Sequence, residues 1–295
     1  MYIIVVISTK GGVGKTSLTA NLGALYADLG VRVLLMDTDP QASLSKYYPL
    51  AYTAPEGLVE MIRDGQLDER KVSHTIFENL SIVLSNDASG EIQIILPQRI
   101  DRSARIKSAL NNAYVNDNFD LVIIDTQGAV GALQEAAAFA GNVLLSPISP
   151  DILSAREFLT GTTELLNRME AGRAIGLVPG QMKALIYKMD QTRNAKAIAQ
   201  EINEKFLDLN GRVSMLNSYI RSAKAYTESA TEQIPVHCKE VISDSKSPSA
   251  YTAMHQLAWE LIPDSKIDGV YGTCFGTMNA EQLSQAFPQL SGGAA

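Results

Sequence analysis

The segment Ser8-Thr9-Lys10-Gly11-Gly12-Val13-Gly14-Lys15-Thr16-Ser17 holds the residue types that bind a polyphosphate. Glycines let backbone N–H groups curl around phosphate oxygens, and a helix that starts behind them adds a favourable field. At the end of such a loop a lysine neutralises the β- and γ-phosphates, and a hydroxyl reaches Mg2+. Lys15 and Thr16 stand where those two groups are needed, so the implied ligands are the phosphates of a nucleotide and Mg2+. Two further sequences end in carboxylates that could serve the same site: Asp37-Thr38-Asp39-Pro40-Gln41 and Leu121-Val122-Ile123-Ile124-Asp125-Thr126. A carboxylate at a strand end also suits a helix N-cap. The phosphate loop in the same chain weighs against that plainer reading.

These groups need a scaffold that brings strand ends together. Ile3, Ile4, Val5, Val6 and Ile7 form a β-branched run with no polar alternation, the mark of a strand buried on both faces. Leu18, Leu22, Leu25 and Leu29 then repeat at helical spacing, and Gly30 is placed to stop the helix. A second buried strand covers 31–36. Further strands are expected over 80–84, 121–124, 143–145, 184–187 and 212–216. Helices are expected over 99–114, 151–169, from 187 to about 206, and 251–261. Residues 40–60 and 86–98 lack a core period and read as loops or short helices near the ligand edge. The alternation predicts an α/β fold: a doubly wound, mostly parallel sheet with helices on both faces and ligands at the carboxyl ends of its strands. A single domain over 1–265 is expected, followed by a loosely ordered tail over 266–295 that has no Lys or Arg after Lys266.

Composition bounds the function. The chain has 295 residues, and 46% of them are hydrophobic against 19% charged, which excludes a disordered chain. A net charge of −7 argues against a generally basic nucleic-acid binder but leaves room for a local basic patch. Cys238 and Cys274 lie far from any CxxC spacing, so neither a disulfide framework nor a zinc site is expected, and a reducing, cytoplasmic setting fits. No stretch reaches the ~18–20 apolar residues of a spanning helix, and none reads as a targeting signal.

The strict pattern G-x-x-x-x-G-K-[ST] fails, because its first glycine falls on Thr9; the chain instead carries Lys10 before a glycine pair. This K-G-G-x-G-K-[ST] form resembles the deviant Walker A motif of the ParA/MinD family of ATPases, which have a P-loop NTPase fold. The resemblance implies that residues 10–17 (Lys10, Gly11, Gly12, Val13, Gly14, Lys15, Thr16 and Ser17) hold the nucleotide. It also implies that ATP closes a homodimer in which Lys10 reaches the partner's phosphates. Asp37 to Gln41 matches the family's D-x-D-P-Q, which implies that Asp39 orients the attacking water and Asp37 supports the metal side. Residues 121–126 resemble a Walker B strand, with Asp125 toward Mg2+. The catalytic set is then Lys10, Lys15 and Asp39, and the metal set Thr16, Asp37 and Asp125. One departure is visible: Gln127-Gly128 stands where the family often has proline, and no role is assigned to Gln127.

The resemblance covers residues 2–262. Met189-Asp190-Gln191-Thr192-Arg193 and the block from Tyr219 to Val236 resemble segments of partition ATPases, which bind DNA without sequence preference through late basic residues. Residues 183–246 hold ten Lys/Arg against eight Asp/Glu, a local excess of two positive charges. Arg193, Lys205, Arg221 and Lys224 are the candidates for DNA phosphates; the plainer reading is a solvated helix face of mixed charge. The implied activity is partition of a plasmid, integrative element or chromosome origin with a ParB-like centromere-binding partner, at the nucleoid. With the loop starting at residue 10, no N-terminal helix-turn-helix domain is expected. The main rival is a related ATPase that positions a conjugation, secretion or chemosensory complex. A MinD-like membrane ATPase would need a basic amphipathic C-terminal helix, and 280–295 has no Lys or Arg. An iron–sulfur relative would need cysteines at strand ends. An amidoligase of the same fold and a nucleotide-binding scaffold complete the alternatives.

Overall fold

Strands without polar alternation must be covered on both sides, and the computed structural model of the chain has that arrangement. It describes residues 1–128, 130–150, 152–174, 176–190, 192, 197–202, 204, 211–243, 247–263, 270–279, 281–282 and 285, with the backbone alone over 152–159. Among these, nine strands form one sheet: β1 Tyr2–Val6, β2 Val33–Asp37, β3 Leu50–Tyr52, β4 Ser73–Thr75, β5 Leu80–Val83, β6 Leu121–Asp125, β7 Val143–Ile148, β8 Gln181–Met189 and β9 Val213–Arg221. Their order is β3-β4-β5-β2-β6-β1-β7-β8-β9. All pairings from β5 to β9 are parallel; β3 and β4 add an antiparallel edge. The doubly wound, mostly parallel P-loop NTPase fold is therefore present.

The helices are α1 Lys15–Asp28, α2 Leu58–Asp64, α3 Glu91–Ile95, α4 Arg105–Leu110, α5 Ala113–Asn118, α6 Ala132–Ala140 and α7 Ile152–Arg173. They continue with α8 Lys224–Glu232, α9 Val236–Lys239 and α10 Ala250–Leu261, and residues 197–202 are also helical. The sheet divides its side chains between two cores. Ile3, Val5, Leu34, Met36, Val122 and Ile124 join α2, α4 and α6 on one face. Ile4, Val6, Val33, Leu35, Leu121 and Ile123 join α1 and α10 on the other. Both sets are removed from water, which is why the strands read as unbroken apolar runs.

Three differences from the sequence reading have local causes. The helix expected over 99–114 breaks at Asn111-Asn112. The Asn112 carboxamide accepts the Val115 N–H at 3.0 Å and donates to the Leu67 and Ala109 carbonyls at 3.0 and 2.9 Å, so it caps a new helix instead of extending the old one. The last strand runs to Arg221 rather than 216, through register shifts against β8. Residues 270–279, read as part of a loose tail, return to the body. The Asp28 carboxylate accepts the N–H groups of Cys274 at 2.8 Å and Phe275 at 2.5 Å, and the Tyr251 hydroxyl donates to the Gly272 carbonyl at 2.7 Å.

Candidate nucleotide site

The phosphate loop leaves β1 and enters α1 with its glycines doing conformational work. Gly12 and Gly14 have φ of +73° and +93°, a region that favours glycine. A side chain at Gly14 would also lie 2.2 Å from the Tyr187 ring. Gly14 is the N-cap of α1 and supplies no side-chain acceptor, so the first N–H groups of the helix remain available to an anion.

Lys15 is buried, 7% exposed, and its ammonium donates to the Lys10 carbonyl at 3.2 Å. Burial pushes its pKa below the usual lysine value, while the charges of Asp125 and Asp39 pull it back up. Asp125 is wholly buried at the end of β6. It accepts the Thr16 hydroxyl at 2.7 Å, with Thr19 at 3.5 Å. Burial pushes its pKa up to about 7, the Thr16 hydrogen bond opposes this, and the neighbouring Asp37 charge adds to it. A sequestered carboxylate beside a hydroxyl is a donor pair suited to a hard cation such as Mg2+. The residues present fit that ion.

Asp37 pairs with Asp125 in register at the next strand end. Its carboxylate is engaged by the loop that follows: it accepts the Asp39 N–H at 3.0 Å, and the Ser45 N–H and hydroxyl at 2.7 Å each. Burial nevertheless raises its pKa. Asp37 thus holds the 38–45 loop in shape rather than offering open oxygens to a metal, a shift from the role expected from sequence. Asp39 stays half-buried at the loop's head, its carboxylate accepting the Gln41 N–H at 3.0 Å. Lys10 is half-buried and borders an open cleft lined by Thr9, Gly11, Val130, Thr160 and Gly161.

Residues that the sequence reading did not single out complete the site. The Gln134 amide on α6 donates to the Ser8 and Gln127 carbonyls, 3.2 Å each, tying the phosphate loop to the segment after β6. That segment lies close: a side chain at Gly128 would come within 3.0 Å of the Gly11 backbone. Lys188 sits in the left-handed region at a register shift in β8, and its ammonium reaches the Gly12 carbonyl at 3.4 Å. The lone Gln among the alanines of α6 was the one available hint; Ser45 and Lys188 offered none.

The basic candidates separate. Arg221 is engaged internally, its guanidinium paired with Glu240 and donating to the Pro248 carbonyl at 3.0 Å. Lys224 is exposed at the start of α8. Arg193 and Lys205 lie outside the described residues. So does most of 280–295, where a membrane-binding helix would fall; among the described residues no helix is long and apolar enough to cross a membrane.

A family model described as an AAA domain matches residues 1–175. The chain is similar to the sporulation initiation inhibitor protein Soj of Bacillus subtilis, 33% identical over 56% of this chain and 63% of that protein. It is also similar to a probable plasmid-partitioning protein ParA of Thermus thermophilus, 34% identical over 52% of this chain and 46% of that one. The matches thus span less than two thirds of these relatives' length. Among solved structures, apo McdA of Cyanothece superposes with a TM-score of 0.72 at 21% identity over 88% of this chain and 99% of that one. Cobyrinic acid a,c-diamide synthase of Mycobacterium smegmatis, bound to an ATP analogue and magnesium, gives 0.64 at 25% identity over 84% and 99%.

Proposed function

The chain belongs to the ParA/MinD family of ATPases, and from that premise we propose that it is a Mg2+-dependent ATP hydrolase that drives DNA partition. The observation that carries the reading is the buried Lys15 on the loop of residues 10–17, with Thr16 bonded to Asp125 beside it. In the proposed reaction Lys15 and the N–H groups at the start of α1 hold the β- and γ-phosphates. Thr16 and Asp125 would hold Mg2+, and the ion, when bound, supplies positive charge against the phosphate oxygens. Asp39 orients a water in line with the γ-phosphorus. The water oxygen forms the new P–O bond, the bond to the β–γ bridging oxygen breaks, ADP leaves, and the water's proton passes to phosphate or solvent. Lys10, at the rim of its cleft, would act on the nucleotide of a second copy, so that ATP closes a homodimer.

Asp39, Asp37 and Asp125 all approach this site from the ends of β2 and β6, so negative charge gathers where Mg2+ and Lys15 would offset it. That arrangement supports a protein whose shape depends on its nucleotide. The ATP dimer would bind nonspecific DNA at the nucleoid, and a centromere-binding partner of the ParB type would stimulate hydrolysis and release. Of the proposed DNA contacts, Lys224 keeps its role, and Arg221 would act by holding the end of β9 against Glu240 and Pro248. The test is a DNA titration with ATP, with ADP and without nucleotide. Binding that requires ATP is expected; its absence at low salt would remove the DNA reading and leave the rival cargo-positioning ATPase.

A further inference from the structure

We propose that His237, Cys238 and Cys274 form a binding site for a thiophilic d10 metal ion, Zn2+ or Cu+, that fastens residues 270–279 to the ATPase body. The two cysteines stand 36 residues apart in sequence, yet α9 and the returning segment bring them together. One ring nitrogen of His237 and the two Sγ atoms all lie within 4.8 Å of one another. Imidazole with two thiols is a zinc or copper donor set, since soft sulfur ligands select such ions over Mg2+.

The histidine is prepared for ligation. It is wholly buried, and Nε2 lies 3.1 Å from the Asp28 carboxylate, itself 1% exposed. With Nε2–H donated to Asp28, the ring's lone pair is on Nδ1, and Nδ1 has no hydrogen-bond partner. A carboxylate on the far nitrogen is the usual outer support of a metal-bound imidazole. A buried nitrogen with nothing to accept is otherwise a cost. Asp28 also accepts the Cys274 and Phe275 N–H groups, so the carboxylate that orients the histidine positions the incoming cysteine as well. Met278 Sδ lies 3.3 Å from Cys274 Sγ and offers a fourth, soft donor. Cys238 is half-buried.

Binding balances in charge. Each thiol gives up its proton, so Zn2+ with two thiolates and a neutral imidazole is uncharged, and two protons go to solvent; Cu+ leaves one negative charge. The site is separate from the nucleotide. Lys15 opens α1 and Asp28 closes it, about 20 Å apart along the helix axis.

The experiment uses the full chain, reduced and metal-free. Zn2+ is titrated against a chromophoric chelator, Cu+ against a Cu+ chelator without oxygen, and Co2+ is used as a spectroscopic probe. One equivalent of Zn2+ or Cu+ per chain is expected, weakened at least about tenfold in Cys238→Ser and in Cys274→Ser. ADP binding by each variant checks that it has folded. Bound Co2+ should give a sulfur-to-metal charge-transfer band with tetrahedral d–d bands, a reading on the wild type that needs no variant. Loading with Zn2+ or Cu+ should slow amide exchange over 270–279. The proposal fails if neither ion binds the wild type more tightly than the Cys238→Ser/Cys274→Ser double variant. It also fails if Co2+ binds without the charge-transfer band.

Discussion

A buried carboxylate is costly when its partners are only hydroxyls, and Asp125 is in that position. Its neighbour Asp37 satisfies its own oxygens with the N–H of Asp39 and with Ser45, so two acids in strand register have different tasks. Asp125 faces the loop threonine, and Asp37 shapes the loop that presents Asp39. That division leads to two expectations for single residues. Asp39→Ala keeps the phosphate loop, so ATP affinity should hold within about threefold while hydrolysis falls by about 10²-fold or more. Turnover that matched the wild type would remove Asp39 from the mechanism. Lys10→Ala spares Lys15, whose ammonium bonds the residue-10 carbonyl and not its side chain. Binding of nucleotide to the monomer should survive, and the ATP-dependent rise in mass by light scattering should vanish. A dimer that formed as in wild type would exclude the proposed contact across the interface.

At the scale of elements, the 38–45 loop is held by one carboxylate at its base. The Ser45 hydroxyl donates to Asp37 and accepts the Ser85 N–H at 2.9 Å, so it joins that loop to the segment after β5. Ser45→Ala keeps the backbone bond to Asp37 and loses the hydroxyl. A loss of about 1–2 kcal/mol in denaturant unfolding is expected, together with slower hydrolysis at unchanged ATP affinity, because Asp39 rides on the loop. An unchanged midpoint would show that the hydroxyl is dispensable. Legibility in the sequence followed the same physics. Central strands such as β1 and β6 are buried on both faces and declare themselves by composition alone. The edge strands β3 and β4 are three residues each and have too little core to leave a pattern. In the site, the residues of the phosphate loop and the two acidic strand ends were readable, because glycine geometry and charge leave marks at short range. Ser45, Gln134 and Lys188 act through contacts made only once the chain is folded. The same holds for His237 with Cys238 and Cys274, where sequence spacing spoke against a metal and spatial proximity favours one.

Across the whole molecule, charge and the returning segment set how the protein responds to its medium. With a net charge of −7, any DNA contact must come from a local patch, so its affinity should fall linearly in log–log plots against salt, by about 0.9 per phosphate contacted. A salt-independent affinity would argue for another mode of binding. Acid should act elsewhere, at His255. This ring is wholly buried on α10. Its Nδ1–H donates to the Tyr251 carbonyl at 2.8 Å, and its Nε2 accepts the Gly272 N–H at 3.0 Å. Protonation would set two N–H groups against each other where residues 270–279 dock. Burial pushes its pKa down to about 4; His237 nearby lowers it further, and the Tyr251 carbonyl and Asp28 oppose the shift. The rings of Tyr251, Trp259 and Tyr271 complete its surroundings. Because the folded pKa lies below the ordinary histidine value of about 6.5, the unfolded chain binds more protons between the two. The contribution is therefore fully present above about pH 6.5 and is lost as pH falls toward 4. Between about pH 7.5 and pH 5.5 the loss should be roughly 1 kcal/mol. Carboxylates titrate in every form of the protein, so the reading is the difference between wild type and His255→Gln in urea unfolding at both pH values. The variant should lose less stability on acidification, and in the wild type the protection factor of the Gly272 amide, its exchange rate corrected for the intrinsic effect of pH, should fall over the same range. Equal losses in the two proteins would show that His255 does not couple the docked segment to pH.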